Sequence, residues 1–299
     1  MNCFKKIKWW TVIINGVLIL LFAGCKKDDA TPALNWSPLL RNQEVVSIVA
    51  VNNNIFAGTN KGVFLSTNNG ISWIAQNVDL IALTSLAASG TNLYASTQLG
   101  VFLSIDNGNS WSDTGLPLDY FTCLAVTSSD IFAGDYGNVF SINHLNSVTA
   151  GLANQQVTSI AVSGDNIFVG TGSGVFFLTS NGSSCAQVMT DQYVNSVAAN
   201  GPYVFAATGT QSSGSVFLSG NNGSSWERKL QINARIICLA VSGNNIFAGT
   251  DNGVYISGNN GSNWVAAGLT KQIVTSFAIV GGNIFAGTNT GVFFSPVRL

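Results

Sequence analysis

The phrase Asn-Ile-Phe-Ala-Gly-Thr recurs along this chain about every 38 residues, and that period decides which folds are open to it. Full copies stand at Asn54–Thr59, Asn245–Thr250 and Asn283–Thr288, and Val169 replaces the alanine in Asn166–Thr171. Variant copies centre on Tyr94, Phe132 and Phe205. The seven central aromatics, Phe56, Tyr94, Phe132, Phe168, Phe205, Phe247 and Phe285, lie 38, 38, 36, 37, 42 and 38 residues apart. A period in this range marks a repeat architecture, in which each unit buries its apolar surface against its neighbours.

Residues 45–73 show what one unit is. Val45–Val51 reads as a strand, Asn52-Asn53-Asn54 as a turn and Ile55–Thr59 as a second strand. Asn60-Lys61-Gly62 turns into a third strand, Val63–Ser66; Thr67-Asn68-Asn69-Gly70 leads to a fourth that starts near Ser72-Trp73. Asn-Gly between apolar runs is a strong hairpin signal, because both residues tolerate positive φ. Four antiparallel strands joined by tight turns make one blade of a β-propeller. Blades are covered on both faces, which accounts for 46% hydrophobic residues alongside only 8% charged ones, where a quarter or so is usual. Gly170-Thr171-Gly172-Ser173-Gly174 imitates a phosphate loop but joins two strands and opens no helix, so it reads as a turn.

The last repeat stops after its third strand, Gly291–Ser295, and Leu34-Asn35-Trp36 matches Ser262-Asn263-Trp264 of an earlier unit. The expectation is therefore an all-β fold: a single seven-bladed β-propeller of four-stranded antiparallel blades over residues 34–299. Its ring is closed by an N-terminal strand that covers the final edge. The 42-residue spacing is expected to reflect a four-residue extension of one loop, Gly209–Ser215.

The turn before each fourth strand carries a family resemblance. Ser66, Asn68, Gly70 and Trp73 fit the pattern Ser-x-Asp-x-Gly-x-Ser/Thr-Trp, as do Ser104, Asp106, Gly108 and Trp111. So do Ser219, Asn221, Gly223 and Trp226, and Ser257, Asn259, Gly261 and Trp264. This resembles the Asp-box (BNR) repeat of sialidase-like propellers, in a member without catalytic function. Only Asp106 keeps the acid, but asparagine can also accept backbone N–H bonds and cap the turn. A fifth copy is degenerate, with Leu178 for the serine and Cys185 for the tryptophan, and the copy near Ser141 is lost.

The N-terminus differs from the body. Lys5, Lys6 and Lys8 precede an apolar run from Trp9 to Ala23, too short to span a bilayer comfortably, which reads as a signal peptide over residues 1–24. Leu21-Phe22-Ala23-Gly24-Cys25 resembles the bacterial lipobox. That resemblance implies cleavage before Cys25 and acylation of its thiol, with residues 25–33 as a lipidated linker and the membrane as a partner through that lipid. Lys26-Lys27-Asp28-Asp29 resembles a surface-export tag of Bacteroidota-type lipoproteins. The implied address is the outer membrane, exposed at the cell surface, with a periplasm-facing orientation as the alternative.

Removing residues 1–24 leaves 9 basic and 13 acidic side chains without a basic cluster, which argues against nucleic acid as a partner. Cys123 and Cys238 occupy a column held elsewhere by Ser47, Ser85, Ser159, Ser196 and Ser276, so small-residue packing is expected and no disulfide. His144 is the only histidine and no cluster has metal-ligand spacing; neither a metal site nor a cofactor is expected.

One rim of such a propeller is formed by the loops that lead into each first strand and by the hairpins between second and third strands, with the turns of the Asp-box pattern on the opposite side. The positions three and four before the Ser/Cys column are the least uniform in the chain, and many are polar. The candidate rim comprises Gln43, Glu44, Asp119, Tyr120, Gln155, Gln156, Gln192, Tyr193, Arg235 and Gln272, with Asp135 and Tyr136 from a neighbouring loop.

Catalysis fits poorly. A sialidase site needs three converging arginines, and the four of the mature chain, Arg41, Arg228, Arg235 and Arg298, are scattered. Xyloglucanase-type enzymes oppose their acids across two propellers, and here there is one. Asp119 and Asp135 are a conceivable carboxylate pair. All five mature tryptophans, including Trp36, hold the repeat's structural position and none is left as a glycan platform. The expected role is a monomeric, non-catalytic propeller that binds or scaffolds a protein or glycan; the alternative is a glycoside hydrolase on the same fold.

Overall fold

Alternation along each second strand explains how seven similar sheets assemble into one ring. The computed structural model describes residues 34–51, 53–76, 82–127, 130–143, 146–147, 152, 155–179 and 185–296, together with the two short strands Ile13–Ile14 and Val17–Leu18. Those two pair antiparallel within a separate unit, Met1–Ala30. Apart from those short strands, the signal-peptide segment 1–24 lies outside the described residues, as do Cys25, the linker 25–33, His144 and Arg298.

The rest is seven four-stranded antiparallel sheets; in six the strands follow chain order from the centre outward, and in the seventh the N-terminal strand Ser37–Arg41 lies outermost. Blade 1 comprises Val45–Val51, Asn54–Thr59, Gly62–Ser66 and Ile74–Ala75. The innermost strands of blades 2 to 7 are Leu83–Ser89, Cys123–Val126, Val157–Ser163, Val194–Asn200, Ile236–Ser242 and Val274–Val280. Each of them lies beside the innermost strand of the next blade, and that of blade 7 lies beside that of blade 1.

Residues i and i+2 of a strand share a face, so the repeated phrase has two sides. Phe and Gly face the following blade; Ile and Ala face the preceding one. Phe56 packs with Leu83, Leu86 and Leu93 of blade 2, while Ile55 and Ala57 pack with Phe285 of blade 7. The pattern repeats where Phe132 meets Val157 and Ile160, and where Phe168 meets Val194 and Val197. All seven central aromatics are buried, and full burial of such a side chain is worth about 1.5–3 kcal/mol. Glycine is needed because the next blade is so close. A Cβ on Gly249 falls 2.8 Å from Val274 Cγ1 of blade 7, and one on Gly287 falls 2.6 Å from Val45 Cγ1 of blade 1.

The ring closes as expected. Ser37–Arg41 pairs antiparallel with Gly291–Pro296 and becomes the outer strand of blade 7. The Asn35 backbone N–H donates to Ser295 Oγ at 2.8 Å, and the Trp36 indole N–H donates to the Ala267 carbonyl at 2.6 Å. Trp73, Trp111 and Trp264 instead donate to the glycine carbonyl of their own turn at 3.0–3.1 Å.

One expectation needs correction. The insertion around Gly209–Ser215 lengthens two strands rather than a loop: pairing continues through Gly209↔Gly214 and Thr210↔Ser213. The added residues keep both ladder partners, so the hairpin projects as sheet.

Candidate binding rim and central channel

In blades 1, 2, 5 and 6 the turns that end the third strand are built by side chains reaching the backbone. In blade 1, the Gly70 N–H donates to Ser66 Oγ at 2.8 Å and the Ser72 N–H donates to Asn68 Oδ1 at 2.9 Å. Both Asn69 and Gly70 have positive φ, 56° and 82°. The same contacts recur about Ser104 and Asp106, Ser219 and Asn221, and Ser257 and Asn259. Asp106 adds a bond from the Ser110 hydroxyl at 2.6 Å. The bonds from Ser110 and from the Ser104 hydroxyl lower its carboxyl from 3.8 to about 2. These turns and the short turns between first and second strands form one face of the propeller; the rim is the opposite face.

At the rim, the hairpin between second and third strands is capped by the threonine that ends the repeated phrase. Thr59 Oγ1 donates to the Gly62 carbonyl and accepts from the Lys61 N–H, at 2.9 and 3.0 Å. Thr97, Thr171, Thr250 and Thr288 do the same in their blades. The lead-in residues are tied to these hairpins through the backbone: Asn60 N–H to Glu44 O, Gly172 N–H to Gln156 O, Gly209 N–H to Tyr193 O and Asp251 N–H to Arg235 O. Sequence-distant candidates therefore share one surface.

The candidates differ in what their side chains are free to do. Asp135 stands where the other hairpins have threonine. It is 2% exposed, and its Oδ1 accepts the Gly137 and Asn138 N–H groups at 2.7 and 2.5 Å. Its carboxylate caps a turn and does not face a substrate beside Asp119, which is exposed with its Oδ1 bonded to the Tyr120 N–H. Gln272 Oε1 accepts the Thr290 hydroxyl. Gln43 is half-buried, with Oε1 enclosed and without a hydrogen-bond partner. Gln155 and Gln192 are half-buried too. The Tyr120 and Tyr136 rings lie 5.4 Å apart, tilted by 59°, and Tyr136 is 53% exposed. Leu99 and Leu118 are exposed on the same stretch of rim, in the blade 2 hairpin and in the loop leading to blade 3. Tyr193 is also exposed and lies against Gly172.

Inside the rim, all seven innermost strands line a channel cavity of about 320 Å³. Its wall is stitched by side chains that the repeat phrase does not include. Thr84 Oγ1 donates to the Phe121 carbonyl of the next blade, Thr122 to Val157, Thr158 to Val194 and Thr275 to Val45, at 2.6–2.7 Å. One position further along, Ser47 Oγ accepts the Leu86 N–H, Ser159 the Val197 N–H and Ser196 the Leu239 N–H. The serine column is thus a set of inter-blade staples. Cys123 and Cys238, free thiols in that column, are raised to about 12 by burial, so neither is a ready nucleophile. At the channel mouth, Arg235 donates to Asn195 Oδ1 at 3.3 Å, and the Asn195 amide donates to the Gly209 carbonyl.

Sequence reasoning missed the threonine stitch and Asp130. Asp130 is buried at 7% exposure in the column of Asn54 and Asn245; it accepts the Ile131 and Asn143 N–H groups at 2.7 and 3.2 Å and the Ser141 hydroxyl. Aligning Asp130–Asp135 with Asn54–Thr59 column by column is the signal that finds both acids. Among the described residues, no three His, Cys, Asp or Glu side chains are grouped to hold a metal ion, and no helix is long and apolar enough to cross a membrane.

No family model matches the chain, and no curated protein matches it. Solved structures share its fold. The extracellular domain of a protein assigned as a one-component system in B. thetaiotaomicron has a TM-score of 0.72 at 18% identity, covering 89% of this chain and 40% of that one. This chain therefore spans less than half the length of that domain. YCF48 bound to D1 peptide has a TM-score of 0.70 at 13% identity, covering 90% of this chain and all of that one. A catalytically inactive virginiamycin B lyase from Staphylococcus aureus, with quinupristin, has a TM-score of 0.73 at 9% identity, covering 89% of this chain and all of that one. These likenesses extend to the seven-bladed architecture and no further.

Proposed function

We propose that the protein is a lipoprotein, cleaved before Cys25, acylated there and held at the outer membrane facing the cell exterior, whose propeller is a non-catalytic binding module. The lipobox resemblance supports the anchor, and the Ser-x-Asn/Asp-x-Gly-x-Ser/Asn-Trp turns support an Asp-box (BNR) propeller that keeps the scaffold without the sialidase arginines. The observation that carries the binding role is the Tyr120–Tyr136 pair, with Leu99 and Leu118 exposed beside it on the rim. Aromatic side chains bring large contact area at low entropic cost and recur at binding hot spots. The rim acid best placed to pair with Asp119, Asp135, is already committed to backbone N–H groups. A protein segment is the ligand this surface suits best, because exposed leucines flank the tyrosines; the peptide-bound YCF48 propeller, similar in fold, agrees with that preference.

Pull-down with the mature protein, beside a glycan array and a glycosidase screen, tests the reading. Tyr120→Ala with Tyr136→Ala is expected to weaken capture by tenfold or more, as loss of about 2 kcal/mol at a hot spot does. Glycoside turnover that Asp119→Asn abolishes would overturn it in favour of a hydrolase.

A further inference from the structure

We infer that the face carrying the turns between first and second strands and between third and fourth strands lies toward the lipid surface, so that the rim points away from it. This rests on the reading that Cys25 carries lipid. Three observations lead there. The closing strand runs from Ser37, opposite Phe294, to Arg41, opposite Gly291 in the rim hairpin. The chain therefore joins the propeller at Leu34–Trp36, on the turn face, where Leu34 and Trp36 pack against blades 6 and 7.

Charge is the second observation. Among the described residues, Arg41, Glu44, Lys61, Asp119, Arg235 and Lys271 are all exposed at the rim end of their strands or in rim loops. The turn face has Asp106 and Asp165 in its turns and Glu227, Arg228 and Lys229 where the outer strand of blade 5 begins; most of its other turn residues are neutral Asn, Ser and Gly. Laying the rim against a bilayer would strip water from charges all round the ring; resting the turns of blades 1 and 2 there meets, among the described residues, Asp106 alone. Third, Ile71 and Ile105 are 81% and 74% exposed in the outer turns of blades 1 and 2, next around the ring from the blade that the chain enters. Exposed apolar side chains beside an anchoring point suit an interfacial contact.

The tether sets the scale. From Cys25 to Leu34 the chain reaches at most about 30 Å even when fully extended. A strand of six or seven residues separates the two faces by about 20 Å. Standing the propeller on its rim would consume most of that reach and leave the isoleucines in water.

The experiment reconstitutes the full processed chain into phosphatidylethanolamine–phosphatidylglycerol vesicles that carry nitroxide-labelled lipid. A Cys185→Ser background leaves the buried Cys123 and the half-buried Cys238, whose thiols are both raised to about 12, and the dye that this parent takes up is subtracted. A thiol dye is then placed by Ile71→Cys or Ile105→Cys on one face and by Leu99→Cys or Leu118→Cys on the other. Quenching is expected to be at least about twofold stronger at the isoleucine positions, given the height difference. Equal or reversed quenching, in protein whose intact mass shows the lipid, overturns the orientation alone. A mass without lipid on Cys25 overturns the lipoprotein reading and the orientation with it.

Discussion

Blades 3 and 6 solve the same problem with different chemistry. Blade 6 is regular: strands Ile236–Ser242, Asn245–Thr250, Gly253–Ser257 and Val265–Ala266, capped by Thr250 at the rim and by the Ser257–Asn259 turn opposite. Blade 3 is shorter in its first three strands, Cys123–Val126, Ile131–Gly134 and Val139–Ser141, and the serine-and-glycine turn is missing. Its Asp130 and Asp135 stand in the asparagine and threonine columns, each accepting two backbone N–H groups. A carboxylate offers more acceptor sites than a hydroxyl and makes stronger bonds. Two buried acids thus hold a blade that has lost its regular turn. The tyrosine pair sits at this same blade, so the place least able to fold by the repeat is also the one whose surface departs most from it.

Substitutions can break or sharpen that contrast. The largest effect is expected from Gly249→Val in blade 6, where the new side chain meets Cys238 and Val274. Overpacking of this kind costs about 3 kcal/mol, read as a fall in the denaturant midpoint. Gly134→Val in blade 3, whose Cβ lies 2.5 Å from Val157 Cγ1, should cost the same; a much smaller loss would show that blade 3 yields where blade 6 does not. Next comes Asp130→Ala, which strands buried N–H groups and the Ser141 hydroxyl, at about 2–3 kcal/mol. In blade 6, Ser257→Ala removes a buried hydroxyl that accepts the Gly261 N–H among the bonds it makes, and should cost about 1 kcal/mol. Equal losses would mean that the acid carries no extra share of the stability of blade 3.

Thr122→Val should cost about 1 kcal/mol, because it removes bonds to the Val157 and Gly134 carbonyls. The smallest effect concerns Asp106. Its carboxyl titrates at about 2 in the folded chain rather than 3.8. The stability it contributes is complete above the unfolded value and lost as pH falls through the folded one. Acid titration of Asp106→Asn should therefore be flatter than wild type below about pH 4, with little change at neutral pH, since Asn68, Asn221 and Asn259 do the same work.

The architecture was legible because it is written seven times. Phe56 and its six counterparts fix the number of blades, and the unmatched Trp36 shows where the missing strand comes from. The rim was legible in outline, since Glu44, Gln156, Tyr193 and Arg235 all reach it. The behaviour of its side chains was not. Asp135 looked like a surface acid because its carboxylate is taken up by two backbone N–H groups two and three residues on, in the hairpin it opens. The threonines beside the Ser/Cys column bond to carbonyls some 35 residues on, and no local pattern announces a contact between neighbouring blades. The lengthened hairpin at Gly209–Ser215 was misread because an insertion that keeps ladder register has the same composition as a loop.

The closing ladder between Ser37–Arg41 and Gly291–Pro296 also sets an order of assembly. The first propeller strand to be made is the last to find its partner, at the largest sequence separation in the fold. Long-range pairing slows folding. Until it forms, blade 7 presents an open edge, and an open edge accepts any strand of the right pattern. At high local concentration that strand can come from a second molecule, so the seam that completes one ring is also the site where two chains can exchange identical segments.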